Sequence, residues 1–261
     1  MTIKQDFPKN VGIALSGGAF RGMAHIGVLK ALEEKGIRPS IISASSAGAI
    51  IGALYAAGYS PVEMEKLALK TNFIPYLKPN LPLQSLMSLE KLSLFLANHI
   101  GRKDISELEK KLIICVTNLN SGSAEYLSEG DLCTAVTASS AMPFIFAPVK
   151  INDSLYVDGG VMNNLPVEPL IGQSDFLIGV NVNPVGKEER FTNLFAILVR
   201  SFFLAIRSNT KTRVKYCDLY IQPPELTKVW LFSPGRIKET IRIGYDYTKN
   251  LDFSLKATSK N

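Results

Sequence analysis

The chain has 261 residues, 46% of them hydrophobic, enough for one large domain with a sizeable core or for two small ones. Lysine and arginine outnumber aspartate and glutamate 29 to 23, a net charge of +6 that suits an anionic partner. No basic cluster is interleaved with aromatics, which argues against nucleic acid, and no apolar run approaches the roughly 18 residues that a membrane span needs.

In chain order, Val11 to Leu15 is a short apolar run ended by Ser16-Gly17-Gly18, the pattern of a buried strand entering a glycine loop. Phe20 to Lys35 then reads as a helix, with apolar positions at Met23, Ile26, Leu29, Ala31 and Leu32 and a stop at Gly36. Ser40 to Ala44 is a second strand. Ala47 to Ala57 is a small-residue helix ended by Gly58, and Pro61 starts another that runs to about Lys70. This order predicts a parallel sheet with crossover helices. In such sheets the site lies beyond the carboxyl ends of the strands, so the loops at 16–19 and 45–46 should share one edge.

Phe73 to Leu86 is rich in proline and reads as irregular. Leu89 to Asn98 and Ile105 to Lys110 look helical. Leu112 to Thr117 is a strand, the turn Asn120-Ser121-Gly122 folds it back, and Ala124 to Leu127 completes a hairpin. Asp131 caps a helix that runs to about Ala141 before Pro143 breaks it. Leu155 to Val157 leads into Asp158-Gly159-Gly160, and Phe176 to Val182 is a strongly apolar strand. A long helix from about Phe191 to Thr212, a strand Leu219 to Gln222 and a last helix from about Pro234 to Asn250 complete the chain. No repeat, low-complexity tract or linker interrupts it, so one α/β domain over residues 1–261 is expected.

The cysteines Cys115, Cys133 and Cys217 stand far apart with no C-x-x-C pair, which argues for reduced core thiols and against a zinc site or disulfide framework. Acidic residues are scattered, so neither a metal nor another cofactor is expected. The first ten residues carry no apolar segment or cleavage pattern, and a cytoplasmic protein is expected.

Three stretches could carry chemistry. Ala44-Ser45-Ser46-Ala47-Gly48 falls where a strand turns into a helix, as in the G-x-S-x-G nucleophile turn, but with alanine in place of the first glycine. Its other reading is a plain helix N-cap. Serine needs a base, and the two histidines serve poorly: His25 falls inside the first helix and His99 at the end of another. Asp158, at a strand end before two glycines, is the better partner, although an ordinary D-G turn fits the local sequence equally well. The third stretch is S-G-G-A-F-R-G, residues 16–22. Successive amides of such a loop bind a phosphate or an oxyanion. A dinucleotide fingerprint would need an acidic residue at the end of the second strand, where Ser45-Ser46 stand instead.

Taken together and in this order, three segments resemble the patatin-like phospholipase family. A-L-S-G-G-A-F-R-G-M-A-H-I-G-V-L is similar to its glycine-rich segment and following helix, and S-A-S-S-A-G-A-I-I-G-A-L-Y-A-A-G to its nucleophile elbow. A-S-S-A-M-P-F-I-F-A-P-V with Y-V-D-G-G-V-M-N-N-L-P-V resembles the segment that ends in its D-G-G/A. The similarity covers roughly residues 10–185 and implies a compact bacterial-type member with a three-layer α/β/α fold around a mostly parallel sheet. It further implies a Ser–Asp dyad without histidine: Ser46 as nucleophile, Asp158 as base, and the amides of Gly17, Gly18 and Ala19 as an oxyanion hole, with Arg21 and Gly22 supporting the loop. The implied substrates are lipid or small carboxylic esters, and the implied alternative is a silent lipid-binding or regulatory adaptor. Ala44 and Ala19 depart from the family's glycines by one methyl each, and both keep the backbone N–H. Phe20, Phe144, Phe146 and parts of 73–96 are candidates for an acyl groove. The 191–206 helix is apolar almost all round, with Arg200 the exception. Burial against the sheet or at a subunit interface is the first expectation for it. Peripheral docking at the inner face of the membrane, or a lid over the acyl site, is the second.

Overall fold

A computed structural model describes residues 8–73, 89–187 and 194–253. Strands β1 (Val11–Leu15), β2 (Ile41–Ser45), β3 (Lys111–Asn118), β7 (Phe176–Val180) and β8 (Leu219–Ile221) run parallel in the order β3-β2-β1-β7-β8. Antiparallel strands extend one end: β6 (Ser154–Asp158) and β4 (Ser123–Leu127) both pair with β3, and β5 (Val149–Ile151) pairs with β6.

The central strands β1 and β7 are buried along their whole length, which is why they read as continuous apolar runs. Their side chains still alternate between two faces. Val11, Ile13, Leu15, Phe176, Ile178 and Val180 join the larger core with helices α1 (Ala24–Glu34), α2 (Ala47–Ala56), α3 (Pro61–Lys70) and α8 (Ile237–Lys249). Ala14 and Leu177 face a smaller core made with Leu165, Val167 and Leu170. The one-turn helix α6 (Gly160–Asn163) and a 3-10 turn (Glu168–Leu170), which contributes Leu170, lie at this second core. Helices α1 and α8 cross at backbone distance. A Cβ on Gly27 would lie 2.0 Å from the Ile241 carbonyl oxygen, and one on Gly244 would lie 2.2 Å from that of Ala24. A third cluster of Met142, Ile145, Val199, Phe203 and Leu231 brings helix α7 (Leu194–Lys211) onto the 142–146 and 231 segments.

Several expected elements are corrected. The helix predicted from Phe20 begins as a 3-10 turn, Ala19–Met23, and becomes α-helical only at Ala24, because the glycine loop has first to turn away from β1. Ile105 to Lys110 is a single 3-10 turn, Ile105–Glu107, capped by Asp104, before β3 begins at Lys111. Helix α4 spans Glu90–His99. Helix α5 spans Leu132–Ser139 and stops short of Ala141, since the 139–141 backbone is taken by the strand carrying Asp158. β5 was not visible in the sequence, its three residues being too few for a period. Residues 74–86 of the expected irregular segment and 191–193 of the long helix lie outside the described residues.

Candidate active site

Ser46 follows the last residue of β2 and precedes the first of α2, with φ 51° and ψ −125°. This is a conformation that side-chain-bearing residues rarely hold. The turn is tight because α2 starts against β1: a Cβ on Gly48 would lie 2.4 Å from the Leu15 carbonyl oxygen. The Ser46 N–H donates to Ser139 Oγ (2.9 Å), which donates to the Cys115 carbonyl (2.7 Å), so α5 and β3 hold the elbow. The side chain does not cap its own helix. Its Oγ donates to Asp158 Oδ2 at 2.6 Å.

Ala44 lies inside β2, fully buried and outside the positive-φ region, so the backbone there asks for no glycine. Its methyl faces Gly52 of α2, where a Cβ would come 3.4 Å from Ala44 Cβ and 3.1 Å from Ile42 Cγ2. The glycine in the helix makes the room that the alanine in the strand takes up.

Asp158 reaches Ser46 through strand register. β2 pairs with β3 as far as Ser45 opposite Cys115. β3 runs on, and β6 pairs with Val116 to Asn118, placing Asp158 opposite Val116. Since β4 takes the other edge of β3 over Ile114–Asn118, β6 continues the edge that β2 leaves. The Asp158 and Gly159 amides donate to the carbonyls of Ala141 (3.0 Å) and Ser139 (3.3 Å). The residues 139–141 thus hold both sides of the pair. Gly160 N–H donates to Asp158 Oδ1 at 2.7 Å. Burial raises the carboxyl from 3.8 to about 6, against the pull of the Ser46 and Gly160 hydrogen bonds.

The glycine loop lies against the same serine: a Cβ on Gly17 would sit 2.8 Å from Ser46 Cβ, and one on Gly22 would sit 2.5 Å from Ala47 Cβ. Among the described residues, no acceptor faces the amides of Gly17, Gly18 or Ala19. The groups that fix the loop come from elsewhere. The Gly17 carbonyl accepts from Asn183 Nδ2 and Ser16 Oγ, and Ser16 Oγ accepts from the Val182 N–H. Phe20 N–H donates to the Leu231 carbonyl (3.0 Å) and Arg21 Nε to that of Val229 (2.8 Å). Burial, with Arg200 nearby, lowers the Arg21 guanidinium to about 10. Ala19 holds φ 47°.

Neither histidine approaches the pair as a base. His25 is buried with Nε2 2.8 Å from the Ser16 carbonyl. Burial drops its pKa to about 4, so the ring is neutral and Nε2–H is the donor. His99 is exposed at the end of α4, against the Phe95 ring.

Ser46 and Asp158 open into a cavity of about 180 Å³. Its walls are apolar: Phe20 and Phe73, edge to face at 5.5 Å, then Ile50, Phe95, Met142 and Phe146, and Phe202, Phe203 and Ile206 of α7. Of the expected groove residues, Phe20, Phe146, Phe73, Leu89, Leu92 and Phe95 line it. Phe144 does not. It holds φ 70°, and the residue is 64% exposed, because the Pro143 turn points it outward. Sequence reasoning missed Ser139 and Asn183, whereas Phe202, Phe203 and Ile206 fall in the helix that the sequence offered either as buried or as a lid over the acyl site. Ser139 is indistinguishable from Ser140 in the A-S-S-A stretch. Asn183 had a signal, a polar residue just past the carboxyl end of a strand that neighbours the glycine loop's own.

A family model for the patatin-like phospholipase matches residues 13–171, a span that holds the glycine loop, Ser46 and Asp158. The chain belongs to the patatin-like phospholipase family. An uncharacterized NTE family protein of Mycobacterium tuberculosis is 32% identical over 66% of this chain and 49% of its own length. Lysophospholipase nte1 of Emericella nidulans is 28% identical over 95% of this chain and 18% of its own length. The chain therefore spans about half the length, or less, of these curated relatives. VipD from Legionella pneumophila superposes with a TM-score of 0.53 over 92% of this chain and 66% of its own at 16% identity, a likeness of fold.

Proposed function

We propose that this chain is a serine lipid acyl hydrolase in which Ser46 is the nucleophile and Asp158 the only general base. The observation that carries the reading is the 2.6 Å hydrogen bond from Ser46 Oγ to Asp158 Oδ2, beside free loop amides and at the floor of an apolar cavity. Ser46 Oγ attacks the ester carbonyl carbon while its proton passes to Asp158 Oδ2. The carbonyl oxygen becomes an oxyanion and accepts from the amides of Gly17, Gly18 and Ala19; one such donor contributes about 3–4 kcal/mol to the transition state. The intermediate collapses, the C–O bond breaks, and the leaving alcohol takes the proton back from Asp158. Water then attacks the acyl-serine, gives its proton to Asp158, and the carboxylic acid leaves as Ser46 recovers its hydrogen. A carboxyl raised to about 6 is ionised at neutral pH yet basic enough to share the serine proton. The apolar walls receive an acyl chain, and the name of the Emericella relative makes lysophospholipids the first substrates to assay.

The test is labelling with a fluorophosphonate followed by peptide mass spectrometry, with Ser46→Ala as control. The adduct is expected on Ser46 and on no other serine. A folded wild-type protein that stays unlabelled would remove the hydrolase reading and leave a lipid-binding adaptor.

A further inference from the structure

Helix α7 serves the cavity with one face only. Val199, Phe203, Ile206 and Thr210 are buried, while Leu194, Ile197, Leu198 and Leu204 are exposed, Leu194 by 70%. At about 100° per residue the two sets fall on opposite sides of the helix, with Ser201, Ala205 and Ser208 completing the outer one. A surface helix ordinarily turns charge toward water, and here the outer face carries no charge, only four exposed aliphatic side chains with Ser201, Ala205 and Ser208 among them. The charges of α7 are Arg200, Arg207 and Lys211, which fall on a single flank, and the helix carries no acidic residue. The apolar surface continues past the helix: Phe195 and Trp230 both contact Phe232, which lines the cavity, and Trp230 is 47% exposed.

We infer that the outer face of α7, with Trp230, docks this chain onto an anionic lipid bilayer surface and so brings the mouth of the Ser46 cavity to the membrane. An aliphatic face with a basic flank and an aromatic at its rim is the composition of a helix that lies in the headgroup layer. No described helix is long and apolar enough to cross a membrane, so α7 lies on the bilayer and does not span it. Charge selects the occupant. A second copy of this chain would bring an identical basic flank, whereas anionic headgroups complement Arg207 and Lys211 and suit the net charge of +6. The docking deepens the hydrolase reading of the cavity, but its test needs no hydrolysis.

Trp230 is the only tryptophan and lies in the inferred contact, so its emission reports docking directly. The 261-residue chain carrying Ser46→Ala is titrated with vesicles of equal parts phosphatidylcholine and phosphatidylglycerol, and with phosphatidylcholine alone. A blue shift with co-sedimentation is expected on the mixed vesicles, weaker on the neutral ones and reduced by salt. Leu198→Glu and Leu204→Glu, both on the exposed face, are expected to lower partitioning by roughly tenfold or more and to leave circular dichroism unchanged. In a chain that keeps Ser46, they should also leave hydrolysis of a water-soluble ester unchanged. Absence of shift and sedimentation, or variants that bind like the parent, would overturn the inference. So would a wild-type dimer that Leu204→Glu dissociates, since the face would then join two copies. Vesicle binding by a protein inert toward every ester would leave the docking standing and remove the hydrolase reading.

Discussion

On the proposed mechanism, replacing Asp158 by asparagine should sharply slow hydrolysis and make the protein more stable. The carboxyl is buried, and burial lifts its pKa from 3.8 to about 6 in the native state. The native chain therefore binds more protons than the unfolded chain between these values, and stability falls as pH rises through that window. Above about pH 6 the full difference applies, about 3 kcal/mol at 1.36 kcal/mol per pKa unit. Asparagine does not titrate, and its Oδ1 keeps the acceptor for Gly160 N–H. In urea unfolding followed by circular dichroism, Asp158→Asn should exceed wild type by up to about 3 kcal/mol near pH 8 and by only about 1 kcal/mol near pH 4.5. His25 has the opposite slope, since its native pKa is depressed to about 4 and its contribution is lost as pH falls below 6.5. That slope is common to both proteins and cancels in the difference. Hydrolysis should drop by roughly 10²–10⁴-fold, the size of a general-base contribution. A variant no more stable than wild type near pH 8, with a pH-independent difference, would refute the claim that desolvation of Asp158 sets its basicity.

Ser139→Ala removes the hydroxyl that accepts from Ser46 N–H and donates to the Cys115 carbonyl. Unfolding free energy should fall by about 1–3 kcal/mol, and kcat should fall by roughly tenfold with KM little changed, as expected for a misplaced nucleophile; equal kcat values would remove its positioning role. Ala44→Gly restores the G-x-S-x-G spelling. Because position 44 is buried strand with its methyl against Gly52, the change should cost about 1–2 kcal/mol of stability and leave the hydrolysis rate within about twofold. A rate gain of tenfold in a stopped assay would show that the elbow did need the glycine. The pH profile of kcat/KM should rise to a plateau through about pH 6 as Asp158 ionises, a single limb that moves with no substitution of His25 that keeps the fold.

The strands that place the site were legible because β1, β2, β3 and β7 are short apolar runs ended by small or polar residues. The two glycine-rich turns betrayed themselves by composition, since Gly48 lies against the Leu15 backbone and Gly17 against the Asn164 and Ser46 side chains, leaving no room for larger residues. β5 and the split of the first helix were not legible, as three residues carry no period and a 3-10 turn shares its residues with an α-helix. Phe144 and Phe146 are equally apolar in sequence, yet one ring faces solvent and the other the cavity.

By itself the sequence determined the inventory: a serine at a strand-to-helix turn, an aspartate before two glycines, a glycine loop after the first strand, and a helix too apolar for one buried face. Which of these meet was decided only in three dimensions. Ser46 and Asp158 are 112 positions apart, and they touch because β3 outruns β2 and gives β6 the vacated edge. Local sequence encodes turns and faces through short-range sterics, whereas strand register, the burial that raises Asp158, and which side of α7 is exposed are properties of the packed whole.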